Sequence, residues 1–120
     1  MIKNLLLVGL GGFIGSILRY LSYFISKQTP AFFTTCLINI VGSLLIGMVI
    51  GLNLKGGHIN NNWKLFLSTG ICGGFTTFST FSMENIQLLQ QGKIVLSVIY
   101  IMSSIFLGVL AAFIGFKLTS

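Results

Sequence analysis

Gly70-Ile71-Cys72-Gly73-Gly74-Phe75-Thr76-Thr77-Phe78-Ser79-Thr80-Phe81-Ser82-Met83-Glu84 is the stretch on which the reading of this chain turns. Three glycines, five hydroxyl side chains and three phenylalanines crowd into it, and Glu84 is the single acidic residue of the sequence. It lies inside an apolar run long enough to cross a membrane. Lipid tolerates neither loose backbone nor unpaired polar groups. Such a run persists at membrane depth only when it is buried in protein or lines a watery path. Function is expected here.

The surrounding sequence sets the class. Of 120 residues, 54% are hydrophobic and 7% charged, with a mean hydropathy of +0.99. A soluble domain carries about 25% charged residues, so this chain lacks the polar surface to meet water. Apolar runs cover residues 4–24, 32–54, 65–89 and 94–118. Each is long enough, at about 1.5 Å per residue, to cross a hydrocarbon core of about 30 Å. The expected fold is an all-α membrane protein: a single four-helix transmembrane domain over residues 1–120, its third helix broken near the middle. The polar links are Ser26-Lys27-Gln28-Thr29-Pro30, Lys55 through Asn62, and Gln90-Gln91-Gly92-Lys93. Pro30, the only proline, sits between two apolar runs, where a helix breaker belongs. Trp63, Tyr20 and Tyr23 fall near span ends, where amphipathic rings anchor at headgroups. The first run is read as a span rather than a cleaved leader, because three more follow.

Charge leaves the orientation nearly undecided. Four spans place Lys3, Lys55, Lys64 and Lys117 on one side, against Lys27, Lys93 and Arg19 on the other. That four-to-three division is a slight bias to termini inside under the positive-inside rule, and it also suits a chain that inserts both ways. The net charge of +6 is scattered over loops and ends and forms no patch for nucleic acid. Cys36 and Cys72 lie within apolar runs and read as small packing residues. His58 stands alone in a polar loop. No nucleophile–base pair, phosphate loop or carboxylate pair is present, so an enzyme is not expected.

Polar and small residues recur at helical spacing. Gly11/Gly15, Gly47/Gly51, Gly70/Gly74 and Ala111/Gly115 are four apart and let helix backbones approach closely. Asn39 and Ser43 share a face, and Ser97, Tyr100, Ser104, Gly108 and Gly115 form a stripe down the last run. Any one of these serines can simply bond back to its own helix. The stripe together with Asn39 points instead to a pathway. Gly73-Gly74 followed by Thr76-Thr77 is expected to interrupt the third helix. Glycine lowers the cost of leaving helical geometry, and the unwound carbonyls suit a small bare cation. Phe78 and Phe81 share a face of the half-helix beyond. Two such rings ordinarily pack a core, but these alternate with Thr77, Ser79, Thr80 and Ser82. Ring edges carry partial positive charge. Edges with hydroxyl and amide donors make a track for a small, strongly hydrogen-bonding anion.

These motifs resemble the Fluc, or CrcB, fluoride-channel family. The match is carried by Gly11-Gly12-Phe13-Ile14-Gly15 with Arg19, by Asn39 followed by Gly42, and by Gly70 through Ser82. The resemblance implies a multi-pass protein of the bacterial cell membrane, a fluoride channel exporting cytoplasmic fluoride passively and conferring fluoride resistance. It implies a dimer of oppositely inserted subunits, a homodimer or a pair of homologues, with two fluoride pores along the subunit contacts. It implies a fluoride pathway of Asn39, Phe78, Phe81, Ser79, Thr80, Tyr100 and Ser104. Gly73 and Thr76 are implied to give backbone carbonyls to a structural sodium ion at the dimer centre. Gly108 stands where some members place a further hydroxyl. Arg19 and Glu84 are left as vestibule residues of open role. For Glu84, contact with water or Lys93 weighs evenly against direct action in conduction. Two other classes stay in view. A small multidrug exporter needs a membrane-embedded carboxylate, expected in its first span. A non-transporting scaffold uses glycines for packing but has no need of Asn39, the phenylalanines and the serine stripe together.

Overall fold

The computed structural model describes residues 1–54 and 59–120, the side chain of Leu54 excepted; Lys55 and His58 lie outside the described residues. Among the described residues, three helices are long and apolar enough to cross a membrane: α1 (Ile2–Ile25), α2 (Ala31–Leu54) and α5 (Ile94–Thr119). Between α2 and α5 the chain forms two shorter helices. α3 (residues 61–75) is built of joined segments Asn61–Lys64, Leu65–Cys72 and Gly73–Phe75, and α4 covers Ser79–Gln90. Three of the expected runs fall within α1, α2 and α5, and the third, residues 65–89, is divided between α3 and α4 by residues 76–78.

Local chemistry explains the ends. Pro30 starts α2, its carbonyl accepting from Phe33 N–H at 3.1 Å. Asn60 caps α3, its side-chain oxygen accepting from Trp63 N–H at 3.0 Å. α4 ends in a Schellman turn: Lys93 N–H bonds the Leu88 carbonyl and Gly92 N–H the Leu89 carbonyl, with Gly92 at φ 76°. Only glycine takes that conformation without cost.

The helices pair closely because they lack side chains where they touch. α2 lies along α5 and α1 along α3. A Cβ on Gly47 would stand 2.0 Å from the Ala112 carbonyl oxygen, and one on Gly115 2.1 Å from that of Leu44. On the other seam, a Cβ on Gly15 would stand 2.3 Å from the Ile71 oxygen and one on Gly74 2.6 Å from the Gly12 oxygen. The small-residue pairs are thus used inside one chain.

The exterior is apolar: Leu5, Phe13, Val95 and Val109 face outward. The interior mixes apolar Ile38, Val49 and Leu88 with polar Thr35 and Ser97, fully buried, and with Glu84, Asn85 and Tyr100. Every buried polar side-chain atom among the described residues has a hydrogen-bond partner. An unpaired polar group in lipid costs several kcal/mol, on the order of the bond it lacks, so a satisfied polar core is the arrangement such a chain needs.

The break itself falls at Thr76–Phe78, at the threonine end of the Gly73–Thr77 stretch expected to interrupt the helix. Gly73 and Gly74 remain helical, and Thr76 turns extended at φ −79°, ψ 156°. The physical reason is packing: Gly74 is where α3 lies backbone to backbone on α1, which favours keeping the helix intact there. Upstream, Leu65–Cys72 is wound as a π-helix, and Gly73 N–H reaches back five residues to the Ser68 carbonyl. Such segments are rare and often accompany functional sites.

Candidate functional site

An open groove of about 610 Å³ runs along the break, lined among others by Asn39, Ser43, Gly73, Phe78, Phe81 and Ser104. α2 and α5 supply one wall and the broken third span the other.

Asn39 holds the break open. Its Nδ2 donates to the Thr77 carbonyl at 3.1 Å, and its Oδ1 accepts from Thr77 N–H at 2.9 Å. In an unbroken α-helix Thr77 N–H would pair with the Gly73 carbonyl, four residues back. Asn39 diverts it. One of the two Asn39 N–H donors is committed to Thr77; the other is left for the groove. The Thr77 hydroxyl then accepts from Thr80 N–H at 3.2 Å and acts as the cap of α4.

Arg19 serves the same region from α1. Its Nε donates to the Gly74 carbonyl at 3.1 Å, another acceptor that the break deprives of its helical partner. Thr76 N–H and Oγ1 both donate to the Cys72 carbonyl, at 3.0 and 2.9 Å. The Gly73 and Thr76 carbonyls receive no hydrogen bond from the described residues. Unpartnered carbonyl oxygens are hard donors and fit a small hard cation. No group of His, Cys, Asp or Glu among the described residues offers another metal site. Two oxygens are fewer than the roughly six that such a cation takes.

The aromatic residues form a short stack. Phe78 and Phe81 ring centroids are 5.7 Å apart, and Phe81 meets Tyr100 edge-on at 4.9 Å. Phe78 is 78% exposed and stands out from the chain, whereas Phe81 is half-buried on the groove wall. Ser104 lines the groove, its hydroxyl 3.8 Å from Cys36 Sγ. Ser79 and Thr80 sit at the start of α4, where Thr77 Oγ1 bonds to both side-chain hydroxyls.

Tyr100 and Glu84 lie behind Phe81, in the interior. The Tyr100 hydroxyl donates to Glu84 Oε1 at 2.7 Å, and the Thr35 hydroxyl donates to Oε2 at 2.8 Å. Glu84 is 5% exposed, and its partners are hydroxyls. Beside it Ser97 donates to Asn85 Oδ1 at 2.8 Å, and Asn85 Nδ2 to the Phe81 carbonyl at 2.9 Å. Thr35 and Asn85 were not anticipated from sequence. A signal for Thr35 existed: Thr35, Asn39 and Ser43 repeat every four residues on one face of α2.

Comparison with known proteins places the chain in a family. The family model "CrcB-like protein, Camphor Resistance (CrcB)" matches residues 6–116. A protein named fluoride-specific ion channel FluC from Azobacteroides pseudotrichonymphae is 44% identical over 122 residues, covering 99% of this chain and 98% of that one. The FluC of Flavobacterium psychrophilum is 45% identical, with 94% of each chain covered. That of Clostridium perfringens is 47% identical, covering 94% of this chain and 91% of its own. The chain belongs to the CrcB family and is a multi-pass protein of the bacterial membrane.

Proposed function

We propose that this CrcB-family chain is a fluoride-selective channel, through which cytoplasmic fluoride leaves the cell down its gradient. The observation that carries the reading is the groove. Beside the span that sequence marks as most polar, it is lined by Asn39 from α2, Phe78 and Phe81 from the broken span and Ser104 from α5. These bring an amide, a hydroxyl and two aromatic rings to one path. A small anion with a tightly held hydration shell must replace it with many donors at once, and such a track offers them in series. The relatives named for fluoride give the same anion.

In this reading the path consists of Asn39, Phe78, Phe81, Ser79, Thr80, Tyr100 and Ser104. The groove is open along one side in a single chain, and a second subunit in inverted orientation closes it. Two subunits so related make two paths. The near-even charge division is compatible with insertion both ways. Four carbonyls, Gly73 and Thr76 from each subunit, then surround a sodium ion at the centre. That ion neutralises the carbonyl ends of the broken helices and ties the subunits together. The exposure of Phe78 supports this, since a ring that faces lipid in one chain would face the partner's path in the dimer. A multidrug exporter of this size needs a carboxylate in its first span, and α1 contains none.

The test is direct. Purified protein in liposomes loaded with fluoride is diluted into fluoride-free medium, and efflux is followed with a fluoride electrode. Release well above that of empty liposomes, with no matching chloride release, is expected. Efflux no faster than from empty liposomes refutes the channel.

A further inference from the structure

Tyr23 lies near the end of α1, where a tyrosine ordinarily anchors at the headgroups. Tyr20 fits that role and is exposed. Tyr23 instead turns inward, half-buried, and its hydroxyl bonds the hydroxyl of Thr35. Thr35 is the fully buried residue that holds Glu84.

Hydroxyl arithmetic sets the direction of this chain. A hydroxyl has one proton, and a carboxylate only accepts. With Thr35 donating to Glu84, the proton between Tyr23 and Thr35 comes from Tyr23. The order is therefore Tyr23 to Thr35 to Glu84 Oε2, with Tyr100 donating to Oε1 from the other side. In a low-dielectric interior, each donor in such a chain strengthens the next bond. The Tyr100 proton is likewise committed: it cannot serve Glu84 and an anion beside Phe81 at once.

We propose that Tyr23 is a positioning residue for conduction, which keeps Thr35 bonded to Glu84 so that the Tyr100 hydroxyl can leave Glu84 for a passing anion. Without Tyr23, the Thr35 hydroxyl has an alternative partner in the backbone carbonyl of its own preceding turn. Glu84 then depends on Tyr100 alone and holds its proton back from the path. The inference rests on the channel reading of the groove and adds a residue that touches neither groove nor anion.

A neighbouring pair gives the control. Ser26 Oγ donates to the Ser22 carbonyl at 2.6 Å and lies 2.8 Å from Thr34 Oγ1. It ties α1 to α2 as Tyr23 does, but has no link to Glu84. Glu84 is also the only acidic side chain of the protein. Its carboxylate stretch can therefore be read by infrared difference spectroscopy, with Glu84→Gln to assign the band. Tyr23→Phe, Ser26→Ala and the unaltered protein are compared in liposomes for fluoride efflux and for that band. Tyr23→Phe is expected to shift the band and to slow efflux about three-fold or more, the size expected from one lost hydrogen bond. Ser26→Ala is expected to leave both unchanged. An unshifted band in Tyr23→Phe overturns the proposal, as does an unchanged rate or an equal loss in Ser26→Ala. Should Tyr23→Phe fail to fold, Tyr23→Met makes the same comparison. A conducting protein with an insensitive Tyr23 removes this inference alone; absence of efflux from the unaltered protein removes the channel reading and the inference with it.

Discussion

Asn39→Ala is the substitution with the sharpest consequence. Both bonds to Thr77 disappear, and Thr77 is buried. With nothing relaxed, two orphaned backbone groups at about 1–3 kcal/mol each make about 2–6 kcal/mol. One relaxation is open. Thr77 N–H can return to the Gly73 carbonyl, its partner in a continuous helix. That recovers one bond and leaves about 1–3 kcal/mol for the Thr77 carbonyl. It also removes one of the two carbonyls proposed to hold sodium. Stability and cation binding are thereby coupled through a residue that touches no cation. The assay is thermal unfolding of purified protein in detergent, with sodium and with a large organic cation in its place. The unaltered protein should melt higher in sodium. Asn39→Ala should melt lower in both and lose most of the difference, and its fluoride efflux should fall to background. A variant that melts lower yet keeps the full sodium response would refute the diversion of Thr77 N–H as the origin of the free Gly73 carbonyl.

Other outcomes follow from the same geometry. Gly15→Ala, whose Cβ would meet backbone at 2.3 Å, should destabilise the α1–α3 seam by about 1–3 kcal/mol, whereas Gly9→Ala, with nothing within 4 Å, should be neutral or slightly stabilising; thermal melts distinguish them. Phe81→Ile should cost about 0.5–1.5 kcal/mol through the lost Tyr100 contact and slow efflux several-fold, and a normal rate would remove the ring from the path. Glu84→Gln replaces one acceptor oxygen by an amide NH2, so the hydroxyl facing it loses the acceptor for its proton; unfolding should become easier by about 1–3 kcal/mol, and an unchanged melt would contradict the network. Exchanging sodium for a large organic cation should convert dimer to monomer on a sizing column, if the central ion joins the subunits.

What could be read from sequence divides along a physical line. α1, α2 and α5 were legible because lipid demands a long apolar exterior whatever lies inside. The polar interior was legible as an inventory for the same reason: Asn39, Tyr100, Ser104 and Glu84 stand out where solvent cannot explain them. The place of the break was legible to within Gly73–Thr77, but what sets it at Thr76–Phe78 was not. Gly73-Gly74 states where a helix is free to end, but the decision is made by Asn39, which takes both polar groups of Thr77 from 38 residues away.

Glu84 shows the same division more sharply. Helical spacing places it on a face with Thr80 and Phe81, and from that face Lys93 or water is a reasonable partner. Its actual partners are 49 and 16 residues away, on α2 and α5. Periodicity tells which side chains share a face; it does not tell which faces meet. In a soluble protein that ignorance is tolerable, because an unmatched polar face finds water. Inside a membrane bundle it finds only another helix. Each interior polar residue therefore implies a partner elsewhere in the sequence, even when its identity is hidden. Tyr23 illustrates the cost of ignoring that rule: read by position alone it is a headgroup anchor, yet the hydroxyl of buried Thr35, its proton given to Glu84, still has room to accept, and Tyr23 is the residue that fills it.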